Sequence, residues 1–174
     1  IDFIPHMLEM GKVNESDTLL DLGCGDGRIC LLSLLGYVPP SSPSLLLSSS
    51  HSIGVEIDPS ASNLFSSELN KKGLAEKCKC ITGDILEVDY DIPEPTFPRT
   101  TVITLYLLPQ GLIQIERKII SWLKGKSGRR VVCNTWGFKG WKEKERRSVE
   151  EFNGTDLWLY DVESVPVTEL ERNE

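Results

Sequence analysis

Asp21-Leu22-Gly23-Cys24-Gly25-Asp26-Gly27 is the stretch on which the fold of this sequence turns. Before it, Thr18 to Leu22 is a short apolar run set off by the polar Asn14-Glu15-Ser16-Asp17, the pattern of a buried parallel strand. After it, Arg28 to Leu35 has helical character, with Ile29, Leu32 and Leu35 three apart and Gly36 as a stop. A glycine-rich loop between a buried strand and a helix lies where open parallel sheets bind ligands, beyond the carboxyl ends of their strands. Glycines at alternate positions let backbone approach that ligand closely.

Working outward, the strand–helix alternation repeats. Ile53 to Ile57 reads as a second strand, and Asp58-Pro59 opens a helix, Asp as cap and Pro in the first turn, that runs to Lys72 and stops at Gly73. Lys79 to Thr82 is a third strand. Val88 to Arg99, with three prolines and no period, is a loop. Thr101 to Leu107 is a β-branched strand, Pro109 to Leu123 a helix with Leu112, Ile115, Ile119 and Leu123 on one face, and Arg130 to Thr135 a further strand. Leu157 to Val162 and Val165 to Leu170 complete the candidates. The order implies an α/β chain, a mostly parallel sheet of six or seven strands between helices, in one domain of 174 residues. Tyr37 to Ser52, rich in Ser, Pro and Leu, is longer than most connections and reads as an insertion or a poorly ordered excursion.

Composition narrows the function. A formal net charge of −7 argues against broad electrostatic attachment to nucleic acid. Two basic clusters, Lys124, Lys126, Arg129 and Arg130, then Lys139, Lys142, Lys144, Arg146 and Arg147, read as solvated loop charge, with docking of an acceptor protein or a membrane surface as the alternative. Five cysteines without paired zinc-ligand spacing suggest reduced thiols in an intracellular compartment, cytoplasmic or mitochondrial, and no metal site. The uncharged run from Ile29 to Val55 is broken by Pro39, Pro40 and Pro43, so no transmembrane segment is expected. The chain begins at Ile1 rather than Met, which leaves room for a preceding segment. It is read as a monomer.

The loop also discriminates among ligands. A pyrophosphate site uses G-x-G-x-x-G, whereas here the third glycine comes one residue early, and Asp21 and Asp26 flank the glycines. Those carboxylates suit a cationic ligand. Glu56, ending the second strand, can accept both hydroxyls of a ribose, and Asp84, after the third, can accept from an adenine amine while Ile57 and Ile85 cover the ring.

Together, Asp21-x-Gly23-x-Gly25-x-Gly27, Val55-Glu56-Ile57-Asp58 and Gly83-Asp84 resemble motifs I, II and III of the class I S-adenosylmethionine-dependent methyltransferases. That resemblance implies a Rossmann-like αβα fold with strand order 3-2-1-4-5-7-6, strand 7 antiparallel, and S-adenosyl-L-methionine as cofactor. Asp21, Gly23, Cys24, Gly25, Gly27, Glu56, Ile57, Asp84 and Ile85 are the expected cofactor residues. More narrowly, the motif I phrase extended to Ile29, with Leu105-Tyr106-Leu107-Leu108-Pro109-Gln110 and Asp156-Leu157-Trp158-Leu159-Tyr160, is similar to the lysine methyltransferases of the ATP synthase c subunit and adenine nucleotide translocase and their prokaryotic relatives. It implies a protein presenting a lysine as acceptor, which meets the methyl group at the end of the fourth strand, where Tyr106 is the candidate catalytic residue. Against that pattern only His6 to Met10 follows Phe3-Ile4-Pro5, so the lid over the cofactor is expected to be incomplete. An Asn/Asp-Pro-Pro-Tyr tetrad is absent at the end of the fourth strand, which disfavours the DNA adenine amine and the glutamine amide as acceptors. Trp136 and Trp141 either line an acceptor channel or pack in the core. A small-molecule or RNA methyltransferase, a non-catalytic cofactor-binding scaffold and a nicotinamide oxidoreductase remain as alternatives.

Overall fold

The computed structural model describes residues 3–91, 97–150, 154–166 and 168. Its centre is a seven-stranded sheet: β1 (Thr18–Leu22), β2 (His51–Glu56), β3 (Cys78–Thr82), β4 (Val102–Leu105), β5 (Arg130–Asn134), β6 (Glu145–Val149) and β7 (Thr155–Tyr160). Their order is β3-β2-β1-β4-β5-β7-β6. The first five strands are mutually parallel and β7 runs antiparallel to both β5 and β6. This is the order the motif resemblance implied.

Side-chain alternation splits the core into two layers. Leu20, Leu22, Ile53, Val55, Ile103, Leu105 and Val131 face α4 (Pro109–Lys124). Leu19, Val102, Val132 and Leu157 face the other way, onto α1 (Phe3–Met10), α2 (Arg28–Leu35) and α3 (Pro59–Lys72). Burial on both faces is why the parallel strands read as continuous apolar runs rather than as alternating ones. The Asp58 carboxylate caps α3 by accepting from the Ser60 amide at 2.8 Å, and Gly73 closes that helix with positive φ. No helix among the described residues is long and apolar enough to cross a membrane.

Several expectations are corrected. The Ser/Pro-rich segment is no loose excursion: Tyr37 and Leu47 exchange backbone hydrogen bonds, Leu47 is buried with the helices, and the Ser49 and Ser52 hydroxyls meet that of Ser33. That return brings His51 opposite Thr18, so β2 starts two residues before Ile53. The fourth strand stops at Leu105, short of Leu107, because Tyr106 leaves the sheet edge. Residues Thr155 and Asp156 join β7, whereas Asp161 caps a 3-10 turn, Val162–Ser164, in place of continued strand. Half of the candidate strand Val165 to Leu170, residues 167, 169 and 170, lies outside the described residues.

The second basic cluster is loop only in part: Lys139, Lys142 and Lys144 precede the strand, but Arg146 and Arg147 do not. Glu145–Val149 is the edge strand β6, on which Arg146 lies 4.3 Å over the Trp158 ring and pairs with Asp156, while Arg147 pairs with Glu9. In the first cluster, Arg129 is buried and Arg130 is clasped by Asp17. A guanidinium that finds a carboxylate and a flat aromatic face can line a packed edge, which charge density alone does not reveal.

Candidate functional site

The glycine loop lies across the carboxyl ends of β1 and β2. Its amides are tied down: Gly23 N–H and Cys24 N–H both donate to the Val55 carbonyl at 2.9 and 3.0 Å. The Gly25 amide donates to Glu56 Oε2 at 2.7 Å, and the Asp58 amide donates to Oε1 at 2.9 Å. Glu56 therefore braces the loop from the next strand, and each carboxylate oxygen keeps a lone pair for a further donor.

The glycines divide by purpose. Gly25 has φ of +56°, and a Cβ placed there would meet nothing within 4 Å, so its open side belongs to the cleft. Gly27, φ +76°, is different: a Cβ would come within 2.1 Å of the Phe65 ring, which packs α3 against the start of α2. Cys24 turns its thiol back over Gly54, whose own Cβ would lie 2.5 Å from that sulfur. The Cys24 side chain is thus a packing group, hydrogen-bonded to Cys80, and burial helps push its thiol up.

Phe3, Asp21, Gly23, Cys24, Gly25, Asp26, Arg28, Ile29 and Tyr106 enclose a cavity of about 420 Å³, within the roughly 300–1,000 Å³ usual for small-molecule sites. Asp21 is 3% exposed. Among the described residues, the hydrogen bond reaching its carboxylate comes from Thr104, whose hydroxyl donates to Oδ1 at 2.8 Å. Burial, then the nearby Glu56 and Asp26, push the Asp21 carboxyl up to about 7, against the opposing pull of the Thr104 bond. Asp26 has the opposite fate. Arg28 holds it with two bonds, 2.9 and 2.6 Å, which keep its carboxyl below the usual range. Of the two loop acids expected to meet a cation, only Asp21 lacks one within the protein's described contacts.

Tyr106 is 53% exposed, packed edge-on to Phe3 with ring centroids 5.7 Å apart. It is a wall of the cleft rather than core, and α1 supplies the facing wall through Phe3, a lid the sequence reading judged incomplete. Ile57 is exposed at the end of β2. Asp84 and Ile85 follow β3, with Asp84 Oδ1 accepting from the Leu86 amide at 2.8 Å. These groups share the sheet edge with the cavity but lie outside its walls, on the open rim towards β3. Trp141 is buried, stacked on Phe138 at 4.5 Å with its indole N–H donating to Glu116, and Trp136 packs against the same core. Both are packing groups rather than channel walls. Thr104 was missed by the sequence reading; its place directly across from Asp21 in the β1–β4 register is what brings the two together.

No protein-family model matches the chain. A protein-lysine N-methyltransferase of Saccharolobus islandicus (strain REY15A) is 29% identical over 158 residues, spanning 90% of this chain and 86% of that protein. Among solved structures, an RNA methyltransferase from Salinibacter ruber in complex with S-adenosyl-L-homocysteine is similar with a TM-score of 0.73 and 26% identity, over 94% of this chain and 92% of that one. Precorrin 8W decarboxylase from Methanobacterium thermoautotrophicum shares the fold, with a TM-score of 0.57 at 16% identity over 91% and 89% of the two chains.

Proposed function

We propose that this chain, a class I methyltransferase with S-adenosylmethionine as its cofactor, carries the methyl group to the side-chain amine of a protein lysine. The observation that carries the proposal is the cleft itself. A buried carboxylate, a glycine with room on its open side and an exposed tyrosine line one cavity at the carboxyl edge of a parallel sheet.

The residues fit the cofactor's chemistry. Among the described residues Asp21 is an acid without a cation beside it, and it suits the ammonium group. Backbone at Gly25 lies open to close approach and Gly23 lines the same cavity; Glu56 has lone pairs for the ribose hydroxyls, and Asp84 with Ile57 and Ile85 offers a polar edge and apolar faces for adenine. When bound, the cofactor supplies an electrophilic methyl on a sulfonium centre. The protein's part is alignment and exclusion of water, because displacement at that carbon needs a neutral nucleophile held in line. Tyr106 is the residue we assign to the acceptor. Its hydroxyl can accept from the incoming amine, and the apolar wall it shares with Phe3 disfavours an ammonium, so the lysine sheds its proton before attack.

Lysine is favoured over RNA by the net charge of −7 and by the relative from Saccharolobus. RNA is the second reading, favoured by the Salinibacter relative. Incubation with radiolabelled S-adenosylmethionine and a fractionated cell lysate separates them. We expect label that survives nuclease, is released by protease and is located on lysine by mass spectrometry; label lost to nuclease would replace the lysine reading with the RNA one.

A further inference from the structure

Asp21 and Thr104 stand opposite each other on neighbouring parallel strands, flanked on the other side by Gly54. The Asp21 carboxylate therefore has a hydroxyl on one side and a residue without a side chain on the other. Its Oδ1 is fixed by Thr104 while the residue still lines the cavity. The charged and titratable groups around it are predominantly acidic or neutral. Glu56 faces it from β2, Asp26 and the Cys24 thiol from the loop, and the Cys30 thiol from α2. The cation on the cavity wall, Arg28, is committed to Asp26. From α1 the cavity receives only the apolar Phe3 among the described residues. A carboxylate so placed has little to balance a negative charge until a positive group enters the cleft.

We propose that Thr104 is a positioning residue that aims Asp21 at the cofactor's ammonium group, and that capture of the cofactor expels a proton from the Asp21 carboxyl to solvent. This rests on the cleft being the S-adenosylmethionine site. The balance is simple: the empty site holds Asp21 as a neutral acid, the filled site holds an ammonium–carboxylate pair, and one proton leaves to buffer. The raised carboxyl, about 7, agrees with this. It sets the window, with release nearly complete around pH 6, lost at lower pH where the filled site also keeps the proton, and fading as pH rises past 7, where the empty site is already ionised.

Calorimetric titration of the whole protein with S-adenosylhomocysteine, in two buffers of different ionisation enthalpy, measures the proton. At pH 6.5 release of about 0.75 proton per site is expected from a carboxyl near 7. The ligand's own amine is already protonated at that pH, and any neutral fraction would take a proton up, giving the opposite sign. Thr104→Val removes a bond that stabilises the ionised acid. It should weaken affinity about five-fold at pH 6.5 and move the midpoint of proton release to higher pH, whereas Thr104→Ser should restore both. A merely structural Thr104 would lower stability and leave that midpoint in place. Equal heats in the two buffers, or a midpoint unmoved in Thr104→Val, overturn the proposal. Saturable binding without proton release would sink it while sparing the cofactor reading, and failure to bind the ligand would sink both.

Discussion

Asp17 directly precedes β1 and Asp21 lies near its carboxyl end, each 3% exposed, and the chain treats them in opposite ways. Asp17, at the amino edge of the sheet, is saturated. Arg130 donates to it with both terminal nitrogens, at 3.2 and 2.5 Å, Thr101 donates at 2.7 Å, and Asn14 donates through its amide and its side chain, both at 2.9 Å. Asp21, four residues on at the carboxyl edge, has the Thr104 hydroxyl and a cavity. A buried carboxylate surrounded by donors holds a fold together, and one left short of donors beside a cavity costs stability until a cation joins it. A roomier cleft of about 520 Å³ opens at the amino edge between Met10, Lys126 and Tyr160, but there Arg130 is committed to Asp17, and Lys144 to Asp161 and Glu163. Volume alone points to the amino edge, and a buried carboxylate short of donors points to the other.

The contrast can be broken in four ways. Asp17→Ala should have the largest effect, costing about 4 kcal/mol of stability by stranding the Arg130 guanidinium, as read by chemical denaturation; a loss under about 1 kcal/mol would mean that the clasp is not structural. Gly25→Val should lower affinity for S-adenosylhomocysteine at least about 100-fold, close to 3 kcal/mol, because its side chain enters the cleft. The fold should lose only about 1–2 kcal/mol for the left-handed backbone, so retained ligand-induced thermal stabilisation would misplace the site.

Asp21→Asn sharpens the comparison through pH. The folded-state carboxyl lies at about 7, above its ordinary 3.8, so the native protein binds more protons than the unfolded chain between those values. Stability conferred by the protonated acid is therefore full below about pH 4 and is lost as pH rises towards 7. The asparagine variant should lack that decline and gain about 2 kcal/mol at pH 8, an effect of the opposite sign to Asp17→Ala. Parallel pH–stability curves for variant and parent would show that Asp21 is no store of strain. Glu56→Ala, the smallest effect, should weaken ligand binding by roughly 1.5 kcal/mol through lost charge-assisted hydrogen bonds; calorimetry showing unchanged affinity would remove Glu56 from the ribose.

The same two edges explain what could be read from sequence. The carboxyl edge was legible because backbone geometry there demands residue types: glycine for the tight loop, an acid at the end of β2, and Asp58-Pro59 to open α3. It also showed which acids gather there, but not that Arg28 neutralises Asp26 or that Thr104 serves Asp21, since those depend on rotamer and register. The amino edge and the sheet's far side were less legible. Arg129, Arg130, Arg146 and Arg147 have the composition of loop charge, and only the partners brought from elsewhere (Asp91, Asp17, Asp156 and Glu9) turn them into packed structure. Gly27 was assigned to the ligand with its neighbours, although the visible demand on it comes from Phe65, 38 residues along the chain.

Calorimetric titration of Asp21→Ala with S-adenosylhomocysteine, beside the parent protein, bears most directly on the claim that an under-partnered acid at the carboxyl edge is the seat of the cofactor's positive end. Saturable one-to-one binding by the parent that vanishes in the variant, with the variant still folded, is the expected result. Equal affinity in the two proteins would contradict it.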